Sequence, residues 1–290
     1  TDGQFAIVEE DYEASFRQFI HAQGSDHRIG TTILTEGNTI SPMDIAVIAS
    51  CGVAEVKVAR SPLIRVISTG NELVPAGLPI LSHQVRLSNG PAVLAMLARQ
   101  GFTRSEQAHL ADDPDLLRDK LAQHLDEAEV LVLSGGVSMG KADFVPQVLA
   151  DLGVSQVFHR VSQQPGKPLW FGSGKRGQSV FALPGNPVST LVCCRHYVLP
   201  ALMKASGRRE TISHNAMLAE DIRYEPALTR FLPVKTVSRD DGVTVATPIT
   251  PNTSGDFAAL SGTAGYVELR QEQKLFAAGT TVPLHLWDRP

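Results

Sequence analysis

The sequence is poor in cysteine, and this excludes the zinc sites that cysteine-rich motifs form. Its three cysteines, Cys51, Cys193 and Cys194, follow no zinc-ligand spacing, and the last two are adjacent in an apolar segment. The nine histidines follow no ligand spacing either. We therefore expect buried free thiols in a reducing compartment, no metal site built from histidine, and His109 and His159 in strands or at strand ends.

Two further absences exclude a membrane protein and a general nucleic-acid-binding protein. No apolar run reaches the roughly 18 residues that a membrane-spanning helix requires, and no segment has the pattern of a secretory signal. The formal net charge is -4, so the protein lacks the basic excess that binds nucleic acid. We expect a cytoplasmic protein whose anionic ligands are small molecules held by local donor groups.

What the sequence does contain indicates a globular protein with more than one domain. With 290 residues, and roughly 150 residues per domain as a guide, the chain is long enough for two domains. Hydrophobic residues make up 43% of it and charged residues 19%, which provides for a sizeable core. The chain begins at Thr1 and runs directly into a strand-like segment, which predicts a trimmed or truncated N-terminus.

Residues 1–61 form a small leading region in which we predict two strands and one helix. The strands are expected at residues 5–8 and 31–34. Ser41 is a favourable N-cap for the helix, Pro42 occupies its first position, and Asp44 lies three residues after the cap. Gly52 is expected to end the helix.

Residues 62–208 alternate between strand-like and helix-like segments. Strands are predicted at 63–68, 130–133, 157–161 and 180–183, and helices around 93–97, 116–125, 144–152 and 188–204, the last one kinked near Pro200. This alternation predicts an α/β domain with a mostly parallel sheet flanked by helices, which binds ligands at the carboxyl ends of its strands. Residues 209–290 contain β-branched runs separated by turns, at 234–237, 243–246, 265–269 and 281–286, which predicts an all-β domain.

The segment after the strand at 130–133 predicts an anion-binding loop. Residues 134–138 read Ser-Gly-Gly-Val-Ser and lead into a helix, so that free backbone N–H groups are available to a phosphate. The loop is neither a Walker A sequence nor a dinucleotide-binding fingerprint. Asp143 lies at the start of the helix, where a carboxylate either favours the helix dipole or holds Mg²⁺ that bridges phosphate oxygens.

Polar loops at other strand ends contain further candidates. Asn71 and Glu72 follow the strand at 63–68 and place an amide and a carboxylate at the ligand edge; the alternative is a turn in which Asn71 is left-handed and Glu72 is solvated. Asp113 precedes Pro114 and is expected to cap a helix, which leaves Asp112 as the functional candidate.

Two proline-flanked turns complete the set of loops. Residues 184–187 read Pro-Gly-Asn-Pro, a rigid turn whose outward N–H groups suit an anionic substrate. Asn186 as an N-cap and Pro187 as the first helical residue also give this turn a purely structural explanation. Lys167 lies between two prolines, where it is either solvated or paired with a phosphate or an oxyanion.

Taken in order, these loops resemble those of the molybdopterin molybdenumtransferase family, called MoeA in bacteria and represented in animals by the E domain of gephyrin. The resemblance covers essentially the whole chain, from Gly24-Ser25-Asp26 into the segment after residue 208. Six motifs carry it, namely Ser68-Thr69-Gly70-Asn71-Glu72-Leu73, Ser88-Asn89, Asp112-Asp113-Pro114, Ser134-Gly135-Gly136-Val137-Ser138-Met139-Gly140 with Asp143, Pro165-Gly166-Lys167-Pro168, and Leu183-Pro184-Gly185-Asn186-Pro187.

The resemblance implies a fold and a reaction. Residues 1–61 would be a small α/β leading region that is a remnant of the family's first and second domains, 62–208 a molybdopterin-binding, MogA-like α/β domain, and 209–290 a C-terminal β-barrel-like domain. The implied reaction is insertion of molybdate into adenylylated molybdopterin, with release of AMP and assistance from Mg²⁺. The resemblance also implies a homodimer in which Asp26 acts across the interface, and other enzymes of molybdenum cofactor biosynthesis as partners.

Carried over residue by residue, the resemblance assigns the chemistry to carboxylates and ligand binding to the loops. The implied catalytic residues are Asp26, Glu72, Asp112 and Asp143, and the last three are also the implied Mg²⁺ ligands. The implied cofactor-binding residues are Thr69, Gly70, Asn71, Ser88, Asn89, Ser134, Gly135, Gly136, Val137, Ser138, Lys167, Pro184, Gly185, Asn186 and Pro187.

The sequence departs from the family's pattern at three positions. Leu87 and Gly90 stand where the family usually has aspartate and arginine, and Gln164 stands where it commonly has lysine. These changes support a second hypothesis, a non-catalytic carrier or sensor that keeps the pterin pocket. A third hypothesis, an adenylyltransferase that makes adenylylated molybdopterin from ATP, is disfavoured by the all-β C-terminal region.

Overall fold

The computed structural model describes residues 3, 5, 7–137, 144–209, 213–253 and 255–288. The chain divides into two compact units, Thr1–Ala54 and Glu55–Pro290. The predicted domain limits at residues 61/62 and 208/209 remain predictions. Among the described residues, no helix combines the length and the apolar character needed to cross a membrane.

The first unit contains the predicted helix, α1 (Pro42–Ser50), and its described residues form neither of the predicted strands. The Ser41 hydroxyl accepts a hydrogen bond from the Asp44 amide at 3.2 Å, and the Asp44 carboxylate accepts one from the Ser41 amide at 2.8 Å. The strands predicted at residues 5–8 and 31–34 are wrong at every described position, because apolar residues such as Ile7, 92% exposed, find no sheet to pack in. The prediction of a buried thiol is also wrong for Cys51, which is exposed.

The α/β part of the second unit alternates strands and helices as predicted. Its elements are β1 (Ile64–Thr69), β2 (Leu73–Val74), β3 (Val85–Arg86), α2 (Asn89–Arg99), β4 (Ser105–Leu110), α3 (Pro114–Glu127), β5 (Val130–Ser134), α4 (Val145–Asp151), β6 (Ser155–His159), β7 (Gln163–Gln164), β8 (Trp170–Ser173), β9 (Ser179–Leu183), α5 (Pro187–Cys193) and α6 (Leu199–Ala205). His109 lies in β4 and His159 ends β6, as expected.

The main sheet has the strand order β4-β1-β5-β9-β8-β6. Strands β4, β1, β5 and β9 are parallel, and β8 is antiparallel to both of its neighbours, so the predicted mostly parallel sheet is confirmed. Alternate residues of β5 pack into separate cores, since Val132 contributes to one apolar cluster and Leu133 to another. Because both faces are covered by helices, the carboxyl ends of the parallel strands are left for ligands.

The helix predicted over 188–204 is interrupted by a π-helical turn at Cys194–Val198 between α5 and α6. The irregularity therefore lies one turn before Pro200, whereas the kink was expected near Pro200 itself. Pro200 has no N–H to donate to the carbonyl of His196, so the regular hydrogen-bond ladder cannot continue through this turn. Cys193 and Cys194 are buried here as free thiols, and burial raises the pKa of both.

The remaining strands form the predicted β-barrel-like part. They are β10 (His214–Leu218), β11 (Ile222–Arg223), β12 (Thr229–Ser238), β13 (Thr244–Pro248), β14 (Gly265–Leu269), β15 (Leu275–Phe276) and β16 (Thr281–Leu286). Strand β13 pairs with both β10 and β12, which closes the order β13-β10-β16-β14-β12 on itself. An apolar cluster that includes Leu232, Val234 and Val267 fills this closed sheet.

Candidate functional site

The candidate site lies at the carboxyl ends of β1, β5 and β9, three adjacent strands of the main sheet. Ser68 of β1 is in register with Ser134 of β5, and Ser134 is in register with Leu183 of β9. The Gly135 amide donates a hydrogen bond to the Leu183 carbonyl at 3.2 Å. The loops that leave these three strands therefore start side by side, as the topology predicted.

Gly135 and Gly136 bring the second of these loops against Thr69. Gly135 has φ +100°, and a Cβ atom there would lie 2.7 Å from the Thr69 carbonyl oxygen and 2.8 Å from its Oγ1. Gly136 has φ +66°, and a Cβ atom would lie 2.6 Å from Val145 Cγ2. Only glycine fits such close approaches and positive φ angles, so the loop is built as a backbone surface.

Asn89 joins the start of α2 to the turn after β9. Its side-chain amide donates a hydrogen bond to the Gly185 carbonyl oxygen at 2.7 Å. A Cβ atom on Gly185 would lie 3.5 Å from Gly135 Cα, so this turn also borders the glycine loop. We call Thr69, Asn89, Gly135, Gly136 and Gly185 the glycine cradle.

Asn186 stands at the N-cap position of α5, but its side chain makes no capping hydrogen bond. The positions of Asn186 as N-cap residue and Pro187 as first helical residue are as predicted, and the Thr190 hydroxyl closes the Pro184–Pro187 turn by donating to the Pro184 carbonyl at 2.6 Å. Ser88 precedes α2, also without a side-chain cap, and its hydroxyl donates to the Arg86 carbonyl at 3.3 Å. Val137 is buried, whereas Ser138 and Asp143 lie outside the described residues.

Three buried polar atoms beside the cradle have no hydrogen-bond partner among the described residues. They are Ser68 Oγ, Thr69 Oγ1 and Asn89 Oδ1. A buried polar atom that lacks a partner costs about 1–3 kcal/mol, and such atoms need an explanation in a folded protein. All three belong to residues at or next to the cradle, so a polar ligand that accepts or donates hydrogen bonds there would satisfy them.

A second group of polar residues lies at the neighbouring end of β4. The Asp112 amide donates to Asn71 Oδ1 at 3.1 Å, and the Gly70 amide donates to the Leu110 carbonyl at 3.2 Å. Asn71 does not have a positive φ, so the left-handed turn is wrong. We call Asn71, Glu72 and Asp112 the carboxylate edge.

The neighbouring Asp113 has the structural role predicted for it. Its carboxylate accepts hydrogen bonds from the amides of Asp115 at 3.1 Å and Leu116 at 3.0 Å at the start of α3. Asp113 thus caps α3, whereas Asp112 belongs to the carboxylate edge.

The carboxylate edge fits the way Mg²⁺ is bound at phosphate sites. Such sites supply one or two carboxylates and leave the remaining positions to phosphate oxygens and water. Glu72 and Asp112 provide two carboxylates on adjoining loops. Within the described ranges no group of three or more acidic, histidine or cysteine residues is placed to hold a metal by itself.

The described hydrogen bonds and ion pairs do not link the Lys167 side chain to the glycine cradle or to the carboxylate edge. Asp26 belongs to the first unit. Lys167 is exposed in the turn between β7 and β8, and its carbonyl accepts a hydrogen bond from the Val161 amide at 3.0 Å. Gln164, where the resemblance led us to expect a lysine, accepts a hydrogen bond from the Tyr224 hydroxyl at 2.5 Å. Asp26 is exposed in the first unit and accepts a hydrogen bond from the Ser25 hydroxyl at 3.3 Å.

The structure explains one departure from the family's pattern. Gly90 is buried, and a Cβ atom there would lie 2.9 Å from Gln107 Nε2 and 3.2 Å from Ser68 Oγ. Gln107 thus fills the space next to the helix start, and an arginine at position 90 would have to displace it. Gln107 was not singled out from the sequence, and Ser68 was quoted in a motif without being assigned a role, although a hydroxyl at the buried end of an apolar strand is itself a signal.

The comparisons with known proteins agree with this geometry. A family model described as "Probable molybdopterin binding domain" matches residues 65–204, and one described as "MoeA C-terminal region (domain IV)" matches residues 215–287. A molybdopterin molybdenumtransferase of Synechocystis sp. is 37% identical over 271 residues, which cover 93% of this chain and 67% of that protein. The chain belongs to the molybdopterin molybdenumtransferase family. This confirms the resemblance drawn from the six motifs, and with it the enzyme class.

Other members of the family are also matched over only part of their own length. A molybdopterin molybdenumtransferase of Staphylococcus aureus is 30% identical, with 92% of this chain and 64% of that protein covered. A solved structure of the MoeA protein from Pyrococcus horikoshii matches with a TM-score of 0.77 at 30% identity, covering 91% of this chain and 64% of that one. The chain thus spans between about half and two-thirds of the length of the curated molybdopterin molybdenumtransferases it matches, and the match confirms the predicted fold class.

Proposed function

We propose that this chain inserts molybdate into adenylylated molybdopterin and releases AMP, as a step of molybdenum cofactor biosynthesis. The observation that carries the proposal is the set of unpartnered buried atoms, Ser68 Oγ, Thr69 Oγ1 and Asn89 Oδ1, beside a glycine loop and next to two carboxylates. A glycine loop supported by hydroxyl groups suits phosphate, and adjoining carboxylates suit a magnesium-assisted reaction at that phosphate.

Some of these residues bind the ligand, and others take part in the reaction. The glycine cradle binds the phosphate-bearing part of the ligand through the Thr69 hydroxyl and through backbone N–H groups other than that of Gly135, which donates to the Leu183 carbonyl. Glu72 and Asp112, together with Asp143, would hold Mg²⁺ and orient a water molecule toward the phosphoanhydride, whose P–O bond breaks so that the water oxygen goes to one phosphate and AMP leaves from the pterin phosphate. When bound, the metal neutralises charge on the phosphate oxygens as AMP leaves. The Pro184–Pro187 turn and Lys167 attract the molybdate dianion.

We propose that the protein is a cytoplasmic homodimer, that Asp26 of one copy completes the site of the other, and that enzymes of the same biosynthesis are its partners. An Asp26→Asn chain mixed with an Asp143→Asn chain is expected to recover activity, because mixed dimers contain one site with neither substitution. Two variants that remain inactive when mixed would exclude the shared site.

The experiment that tests the reaction uses purified chain, adenylylated molybdopterin, molybdate and Mg²⁺. Asp143→Asn is expected to lower AMP release by a factor on the order of 100 or more, since it removes a carboxylate from the reacting phosphate. Asp119→Asn, on an exposed position of α3, is the matched control and is expected to match the wild type. Equal loss in both variants, or none in Asp143→Asn, would contradict the proposal.

A further inference from the structure

His109 lies in β4, the edge strand next to the candidate site, and its side chain contacts the loop that follows β1. Its Nε2 atom lies 2.8 Å from the Gly70 carbonyl oxygen. A carbonyl oxygen only accepts hydrogen bonds, so the imidazole must donate from Nε2. This bond ties the strand edge to the loop that carries Asn71 and Glu72.

The Gly70 peptide determines where the Glu72 carboxylate lies. Gly70 has φ +144°, and a Cβ atom there would lie 2.7 Å from both carboxylate oxygens of Glu72. Glu72 is therefore folded back over Gly70, in space that any other residue at position 70 would occupy. A rotation of this peptide would move the carboxylate with it.

Both polar groups of Gly70 are held by the end of β4. Its amide donates to the Leu110 carbonyl at 3.2 Å, and its carbonyl accepts from His109 at 2.8 Å and, over the longer distance of 3.5 Å, from the Leu73 amide of its own loop. A further hydrogen bond, from the Asp112 amide to Asn71 Oδ1 at 3.1 Å, also links the loop after β1 to the segment after β4. Of these hydrogen bonds, only the one from His109 uses a side chain of β4. A substitution in β4 can therefore remove this bond and leave the backbone bond between Gly70 and Leu110 in place.

We propose that His109 is a positioning residue for the reaction: its Nε2–H group fixes the Gly70 peptide and so presents Glu72 and Asp112 together at the carboxylate edge. This inference rests on the proposed function. It does not require His109 to touch the substrate, and it assigns no proton transfer to the imidazole. Loss of the bond should weaken the Mg²⁺-dependent step and leave binding at the glycine cradle unchanged.

Three substitutions distinguish the effect of the Nε2–H donor of His109 from the effect of its imidazole ring. In His109→Gln the amide nitrogen is the same number of bonds from Cβ as Nε2 and can replace the donor. In His109→Asn the nitrogen corresponds to Nδ1 and falls short, and His109→Leu has no donor. His214→Leu, in β10 of the barrel-like part, is the matched histidine control.

Two readouts test the proposal, AMP release as a function of Mg²⁺ concentration and Mg²⁺ binding by calorimetry in the presence of AMP. We expect His109→Leu and His109→Asn to lose on the order of tenfold in the Mg²⁺-dependent rate and in Mg²⁺ affinity, as substitutions of supporting residues around metal ligands do. His109→Gln should stay within about threefold of wild type. Molybdopterin affinity should be unchanged in all variants, and the loss of one hydrogen bond should lower the melting temperature of His109→Leu and His109→Asn by only a few degrees.

Two results would overturn the positioning role. One is wild-type behaviour of His109→Leu in both readouts, and the other is a loss in His109→Gln as large as in His109→Leu. If the wild-type chain releases no AMP under any condition, the proposed reaction fails, whereas the Mg²⁺-binding series still decides whether His109 organises the carboxylates.

Discussion

The side-chain amide of Asn89 donates a hydrogen bond of 2.7 Å to the carbonyl oxygen of Gly185, across 96 positions of sequence. This bond holds the start of α2 against the turn that follows β9, next to the glycine loop that follows β5. Loops from distant parts of the sequence thereby form one surface, and the remaining oxygen of the same amide stays without a partner.

Asn89→Asp is expected to weaken molybdopterin binding, because it removes the donor to Gly185 and places a negative charge beside a phosphate. The lost hydrogen bond should also cost about 1 kcal/mol of folding free energy. Calorimetric titration with molybdopterin and chemical denaturation measure the two effects. Asn215→Asp, at an exposed position of β10, should change neither, and unchanged binding in Asn89→Asp would count against the cradle.

Thr69→Val should separate the cost of an unpartnered hydroxyl from its use in binding. The hydroxyl makes no hydrogen bond in the structure, so a valine of similar shape should leave the unliganded protein as stable or more stable. Ligand affinity should fall by about tenfold, since one good hydrogen bond to a charged group is worth about 1.5 kcal/mol or more. Thermal denaturation with and without molybdopterin tests both parts; a destabilised variant with normal affinity would contradict the assignment.

Gly135→Ala is expected to destabilise the protein and abolish molybdopterin binding. The new Cβ would meet the Thr69 carbonyl oxygen at 2.7 Å at a residue with φ +100°. Gly177→Ala is a matched control, because Gly177 has φ +82° but open space around the Cβ position. That control should lose only about 1–2 kcal/mol from backbone strain and keep full binding. Similar losses of binding in both variants would mean that backbone strain alone accounts for the effect.

The stability of the protein should fall between pH 6.5 and about 4 because of His196. Burial, followed by the neighbouring His285, lowers the pKa of His196 from 6.5 to about 4; Glu268 on β14 opposes this shift and Arg195 supports it. The folded state thus disfavours the proton that the unfolded state binds, so stability is complete above pH 6.5 and is lost as the pH falls toward about 4.

His196→Phe is the variant that tests this pH dependence. At about 1.4 kcal/mol per pKa unit, the His196 contribution reaches roughly 3 kcal/mol across the window. Denaturation curves at a series of pH values should show a flatter profile for His196→Phe than for the wild type. The phenylalanine also loses the 3.1 Å hydrogen bond between His196 Nδ1 and the Tyr266 hydroxyl, which lowers stability equally at all pH values. An unchanged slope between pH 4 and 6.5 would contradict the prediction.

Much of the fold could be predicted because the local pattern and the final packing agree. The apolar runs of β1, β5 and β9 are buried on both faces, and the capping residues Ser41 and Asp113 form the hydrogen bonds expected of them. The strands predicted in the leading region failed for the opposite reason. Short apolar runs such as residues 31–34 look like strands in sequence, but a strand needs a neighbour, and none lies beside them in the described part of that unit.

The parts of the candidate site that sequence reasoning missed depend on contacts across the sheet. His109 and Gly70 are 39 positions apart, and nothing local to either one indicates their hydrogen bond. The space at Gly90 is likewise defined by Gln107 from another strand. The positions of Thr69, Gly135 and Asp112 could be predicted because each follows directly from a strand end, whose place in the sheet the alternation of elements already indicates.

The central claim is tested most directly by measuring AMP release from adenylylated molybdopterin with the wild-type chain, with molybdate and Mg²⁺ supplied together, singly, or not at all. The account predicts release only when both are present. Tight binding of molybdopterin without AMP release under any of these conditions would contradict it, and would favour a protein that carries the pterin without acting on it.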